Sequence, residues 1–141
     1  MATDNGLQEI STAIITDFNT NIATPNTLEF RVENDARANP TDSAWAKVQV
    51  RDADFNKQSY NDVMFVETGF FTVQLFQELG KGTKFVNDLA KSIRDRYNDF
   101  WLNGYIFFEK ADIVTIGRTS NNDGVFQINI VCTYVAEINE S

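Results

Sequence analysis

The segment GFFTVQLFQELGKGTKFVNDLAKSIRDRY, from Gly69 to Tyr97, changes its apolar period once, from that of a strand to that of a helix. In its first part Phe71, Val73 and Leu75 fall on one face, while Phe70, Thr72, Gln74 and Phe76 fall on the other. Apolar groups on both faces predict burial on one side and packing or an interface on the other. Gly69 at the head of the strand marks a bulge or a close backbone approach. After the break at Gly80-Lys81-Gly82, the spacing predicts a helix from Thr83 to about Phe100, with Phe85, Val86, Leu89, Ala90, Ile93 and Tyr97 on a wide apolar face. Lys84–Asp88 and Lys91–Asp95 are i,i+4 ion pairs on its wet side, and Asn103-Gly104 supplies its stop. A glycine-lysine-glycine turn before a helix suggests phosphate binding, but GKGT lacks the G-x-x-x-x-G-K-[ST] spacing that wraps phosphates. It is read as a strand-to-helix turn.

Upstream, Leu7, Ile10, Ile14 and Phe18 fall at spacings of three and four and predict a helix from about Asp4 to Asn19, capped by Thr3 or Asp4. Thr24-Pro25-Asn26 marks a turn. A short strand follows at Leu28–Asn34, with Leu28, Phe30 and Val32 pointing one way. The polar, proline-bearing DARANPTDS is a loop. In the next strand, Ala44 to Arg51, the residues Ala44, Ala46, Val48 and Val50 share one face, and Trp45, Lys47, Gln49 and Arg51 the other. Trp45 on that polar face either packs under a neighbouring loop or contacts another subunit. DADFNKQSYND, which carries Phe55 and Tyr60, is either a mobile connection or an arm that orders against a partner, its two aromatics favouring the arm. It leads through VMFVET, with Phe65, into the long strand.

The rest of the chain is β. YIFFE, DIVTIGRT and VFQINIVCTYVAEI read as strands, the last two joined at Asn122-Asp123-Gly124, a tight-turn signal. Phe126, Ile128, Ile130, Cys132, Tyr134 and Ala136 share the expected core face. The order α–β–β–β–α–β–β–β describes a single α+β domain over residues 1–141, a mostly antiparallel β-sheet with two main α-helices packed on one face and a C-terminal β-hairpin.

Composition narrows the chemistry. With 141 residues, 43% of them apolar, the chain can bury a core without a metal or a disulfide. It holds no histidine, which removes histidine triads and histidine metal sites. No D-x-D-x-D-G loop occurs. The lone Cys132 lies mid-strand among apolar neighbours, where a thiol is inert. No catalytic residue, cofactor or metal is assigned, and the chain is expected not to be an enzyme. Twelve basic against 20 acidic residues give a charge of −8, which opposes binding to nucleic acid or to an anionic membrane. MATDNGLQE has no basic start followed by an apolar core, so no secretory leader is expected. The cysteine usage fits a cytoplasm.

An N-terminal helix, an L-x-F strand, SAWAKVQVRD, then GFFTVQLF with GKG and a helix, closed by NDG and FQINIVCTYVAEI, resembles the tail terminator (tail completion) proteins of long-tailed bacteriophages. The likeness covers nearly the whole chain and is sharpest from Gly69 to Gly82. It consists of apolar positions and turns, without a catalytic motif. The resemblance implies a structural virion protein that is assembled in the host cytoplasm. It implies a ring, usually of six subunits, on the head-proximal end of the tail tube, ending tube polymerisation and providing the surface that joins the head. Implied partners are further copies of the chain, the tail tube protein and a head–tail connector or neck protein. DNA would pass through the channel without specific binding, and an acidic lumen would favour that passage. Trp45, Arg51, Phe55, Tyr60, Phe65, Phe70, Phe76 and Arg118 are the expected subunit or tube contacts. Each is an aromatic or arginine on a polar face, on the second face of a core strand or in a loop. Two alternatives stand beside this reading: a head–tail joining (neck) protein, and a small cone-like α+β enzyme or ligand-binding domain similar to the nuclear-transport-factor-2-like group.

Overall fold

A computed structural model describes residues 6–32, 44–57, 64–78, 84–119 and 122–139. Helix α1 runs Gly6–Phe18 and passes directly into a π-helical turn, Asn19–Ala23. Strands β1 (Glu29–Val32), β2 (Trp45–Lys57) and β3 (Met64–Glu78) follow, then helix α2 (Lys84–Arg96), then β4 (Phe100–Leu102), β5 (Ile106–Thr119) and β6 (Asn122–Asn139). The six strands form one sheet in the order β1-β2-β3-β6-β5-β4. Only β1 and β2 are parallel; the other four neighbouring pairs are antiparallel. The domain is therefore α+β, with a mostly antiparallel sheet and two helices.

The core follows the expected periodicities. Ile10, Ile14 and Phe18 from α1 join Val86, Leu89, Ala90, Ile93 and Tyr97 from and beside α2. They form one cluster with Ala46 and Val48 of β2, Phe71, Val73 and Leu75 of β3, and Ile128, Ile130, Cys132, Tyr134 and Ala136 of β6. Phe71 sits at its centre, edge-on to Phe18 (5.3–5.8 Å contacts link Phe18 to Phe30 and Phe71) and edge-on to Tyr97 at 5.3 Å. Gly69 lies in register with Tyr134. A Cβ built on Gly69 would fall 2.5 Å from the Tyr134 hydroxyl and closer still to the Arg51 carbonyl oxygen, so the close-approach reading is the physical one. The bulge sits on the neighbouring strand, where the register shifts between Asp52 and Asp54.

Several expectations need correction. The polar stretch after Arg51 is strand as far as Lys57, while 58–62, with Tyr60, lie outside the described residues. β2 continues to Lys57, with Phe55 opposite Glu67 and Phe65 opposite Lys57, because backbone pairing with β3 overrides the turn-rich composition. The mid-chain helix ends at Arg96, before Asp99 takes φ 55 and turns the chain into β4. Asn103 (φ 55) and Gly104 (φ 78) are therefore not its stop. They are the two central residues of the turn joining β4 to β5, closed by Tyr105 N–H donating to Leu102 O at 3.2 Å. YIFFE and DIVTIGRT are one strand, β5, with irregular register between Phe108 and Lys110. The tight turn expected at Asn122–Gly124 is also displaced. Those residues belong to β6 and Asn122 pairs with Thr119; residues 120–121 lie outside the described residues. Finally, Phe85 is exposed and not part of the helix's buried face. The Lys84–Asp88 pair forms at 2.6 Å, whereas Asp95 lies 3.4 Å from Arg94.

Candidate interaction surface

Side chains alternate along a strand, so the residues between those of the core face the opposite side of the sheet. The register lines them up in rows. Arg51, Phe70, Thr133 and Lys110 cross β2, β3, β6 and β5 in one row. Thr68, Val135, Phe107 and Trp101 cross β3, β6, β5 and β4 in a neighbouring row. Thr72, Val131 and Asp112 form a third, and Gln74, Asn129 and Val114 a fourth. Phe70 is 43% exposed, Trp101 50% and Val114 46%. Val131, Val135 and Phe107 between them are half-buried. The Trp101 and Phe107 rings are tilted against each other at 4.9 Å. An apolar stripe thus crosses this open sheet face from Phe70 through Val135 and Phe107 to Trp101, with Val131 and Val114 set apart by the Thr133, Lys110 and Asp112 that interrupt it, Lys110 Nζ lying 3.5 Å from Asp112 Oδ2. Such a set of groups binds by burying apolar area, with aromatic anchors and cations at its edge.

The expected contact residues divide among three situations. Phe70 and Arg51 stand on the exposed stripe and its border. Trp45 and Phe76 do not belong to the exposed area. They are cross-strand partners, stacked at 4.2 Å and 17°, with only 6% and 9% exposure. The Lys47 ammonium sits 5.7 Å from the centre of Trp45 and 6.0 Å from that of Phe76. Both rings are thus covered within the chain itself. Phe55, Phe65 and Arg118 have their backbones in β2, β3 and β5, but their side chains lie outside the described residues, as does the whole of Tyr60. Trp101, Phe107 and Val114 carry the largest share of the stripe, and no expected contact named them. Trp101 fell between the expected helix end at about Phe100 and its stop at Asn103-Gly104, and the alternation of Phe107 between Ile106 and Phe108 was the signal available for Phe107.

A second feature unforeseen in the sequence is a buried polar cluster. Asp17, in the last turn of α1, accepts hydrogen bonds from Arg96 Nε at 2.8 Å and Arg96 Nη2 at 2.5 Å. It also accepts one from the Tyr97 hydroxyl at 2.7 Å and one from Asn21 Nδ2 at 3.0 Å. Asn21 donates again to the Asp17 carbonyl, at 3.2 Å, within the π-helical turn. The hydrogen bond to Asp17 raises the Arg96 pKa further above its ordinary value. Burial, reinforced by the Asp17 charge, raises that of Tyr97. The hydrogen bonds from Arg96 and Tyr97 to Asp17 tie the end of α1 to the end of α2. Elsewhere in the core, burial and then the Asp112 charge push the Cys132 thiol up to about 12, which keeps it protonated and unreactive.

Among the described residues, no group of three or more His, Cys, Asp or Glu is placed to hold a metal ion, and no helix is long and apolar enough to cross a membrane. No protein-family model and no curated protein matches the chain. Among solved structures nine chains match in fold. One of them, known by a sequence identifier alone, superposes with a TM-score of 0.63 at 13% identity, over 93% of this chain and 98% of that one. At that identity the likeness concerns the fold.

Proposed function

We propose that this chain is a structural virion protein that forms a ring on the head-proximal end of a phage tail tube, ending its growth and offering the surface to which the head attaches. The observation that carries the reading is the exposed stripe of Phe70, Trp101, Phe107 and Val114 on the sheet face away from the core. A ring of like subunits needs a surface that binds a different surface of the next copy and closes after a fixed number of steps. Aromatic and arginine groups on a sheet face suit that task. The acidic balance of the chain suits a channel through which DNA slides, since nothing then pairs strongly with phosphates. A neck protein would use the same kind of surface and differs only in the partner it meets.

The rival reading, a small acid–base enzyme, requires an ionisable group held in an apolar pocket. Among the described residues the buried carboxylates are Asp17 and Glu67, and Arg96, Tyr97 and Asn21 donate to the oxygens of Asp17. The proposal is tested with Phe70→Asp and Trp101→Asp. Both positions are about half exposed, so each variant is expected to stay folded, with a loss of about 1–2 kcal/mol in urea. Each should fail to join tail tubes in a sedimentation assay. Variants that bind tubes as the parent does would remove the stripe from the contact and the reading with it.

A further inference from the structure

We infer that Asp17, on the core side of the sheet, is a positioning residue for Trp101 on the opposite face. The inference rests on the proposed ring only for the purpose of that face; the mechanical coupling stands apart from it. β4 is three residues long and pairs with β5 alone. So short an edge strand has little hold of its own. The chain enters it through Asp99 and leaves it through Asn103 and Gly104, all at positive φ, so neither end extends a regular element into it. What fixes β4 is its inward side. Leu102 is buried, and the Phe100 ring stacks on Phe108 at 6.3 Å and 18°. Above Phe100 lies the Arg96 guanidinium, 4.8 Å from the ring centre.

The plane of that guanidinium is set by Asp17, which receives both Nε and Nη2 in a two-pronged contact. Because side chains alternate, clamping Phe100 and Leu102 inward sets the direction in which Trp101 projects outward. The path is short: carboxylate, guanidinium, Phe100, and the next residue along the chain. Loss of the two-pronged contact frees the guanidinium to rotate off Phe100, and the edge strand loses one of the contacts that hold its inward side.

The test is amide hydrogen exchange resolved by residue, on the full chain, in Asp17→Asn and in Arg96→Lys. The first keeps the shape of the side chain and removes its charge. The second keeps the charge pair and removes the flat fork that covers Phe100. The expected result in both is a loss of protection of about tenfold or more at the β4–β5 pairs, Phe100–Leu102 and Ile106–Phe108, while the β3–β6 pairs exchange as in the parent. In a Trp45→Phe background, where Trp101 is the remaining tryptophan, acrylamide quenching of its fluorescence should rise in step. Protection that falls uniformly over the sheet, stays unchanged, or disappears because neither variant folds would overturn the inference and leave Asp17 as a general tie between helices. Tube binding is not read, so a failure here is distinct from a failure of the ring proposal.

Discussion

Cys132 and Tyr97 are held neutral in the core by burial, and that choice has a measurable consequence for stability in alkali. A thiol whose folded pKa is raised from 9.0 to about 12 favours the protonated form in the fold. Its contribution is intact below about pH 9, where the unfolded chain also keeps the proton. It is lost as pH rises from there toward 12, as the unfolded chain ionises and the folded one does not. The loss from Cys132 should reach about 1 kcal/mol by pH 10. Urea unfolding at pH 8 and pH 10 checks this: the parent should lose stability over that interval, and Cys132→Ala, although weaker throughout, should lose less. At this scale the sequence was legible where the signal was local. Cys132 and Tyr134 fell on the core face by alternation, and Gly69 pointed to a close approach. Asp17 was not legible, because periodicity marks apolar residues and its partners Arg96 and Tyr97 lie about eighty positions away.

At the scale of elements, long periodic segments were readable and boundaries were not. The faces of β3 and the burial of Val86, Leu89, Ala90 and Ile93 on α2 followed directly from spacing. The ends of α2 and β2 did not, since tertiary pairing decided them. Asp52, Asp54 and Asn56 have low strand propensity, yet all lie in β2 opposite β3. Asn103-Gly104 was recognised as a breaker and given the wrong neighbours: it joins two strands rather than closing a helix. Gly104 holds φ 78 with open space where a side chain would stand. Gly104→Ala therefore meets only the backbone penalty of the left-handed region, about 1–2 kcal/mol. A fall of that size in the unfolding free energy measured in urea, with helix content unchanged by circular dichroism, is the expected result. The outer strands also explain how an open sheet stays manageable. β1 and β4 are short, while β2 and β5 carry register shifts that disturb a flat edge. The open face, rather than an open edge, is the part of this sheet suited to a partner.

For the molecule as a whole, the α+β class was legible because the apolar runs and two amphipathic helices leave few layer arrangements, whereas the count of six strands agrees only because β4 was missed and β5 was split in two. The surface was only half legible. Trp45 and Phe76 satisfy each other across β2 and β3, which a sequence cannot reveal before the register is known. Trp101 emerged only once β4 was separated from α2. The size of the stripe bears on how the proposed ring would form. Three strand spacings by about six residues of strand make a patch of about 14 by 20 Å, roughly 300 Å² of flat area. A stable interface covers about 800 Å² on each partner, so the stripe alone is too small to hold free subunits together. The account therefore expects ring formation on the end of a tube, where each subunit is held by the tube and by its neighbour at once. The most direct test is to add the purified chain to growing tubes of its tail tube protein and image them by electron microscopy. The predicted result is arrested growth, with a six-fold ring at one end of every tube; tubes that lengthen undisturbed while the chain remains in solution would contradict it.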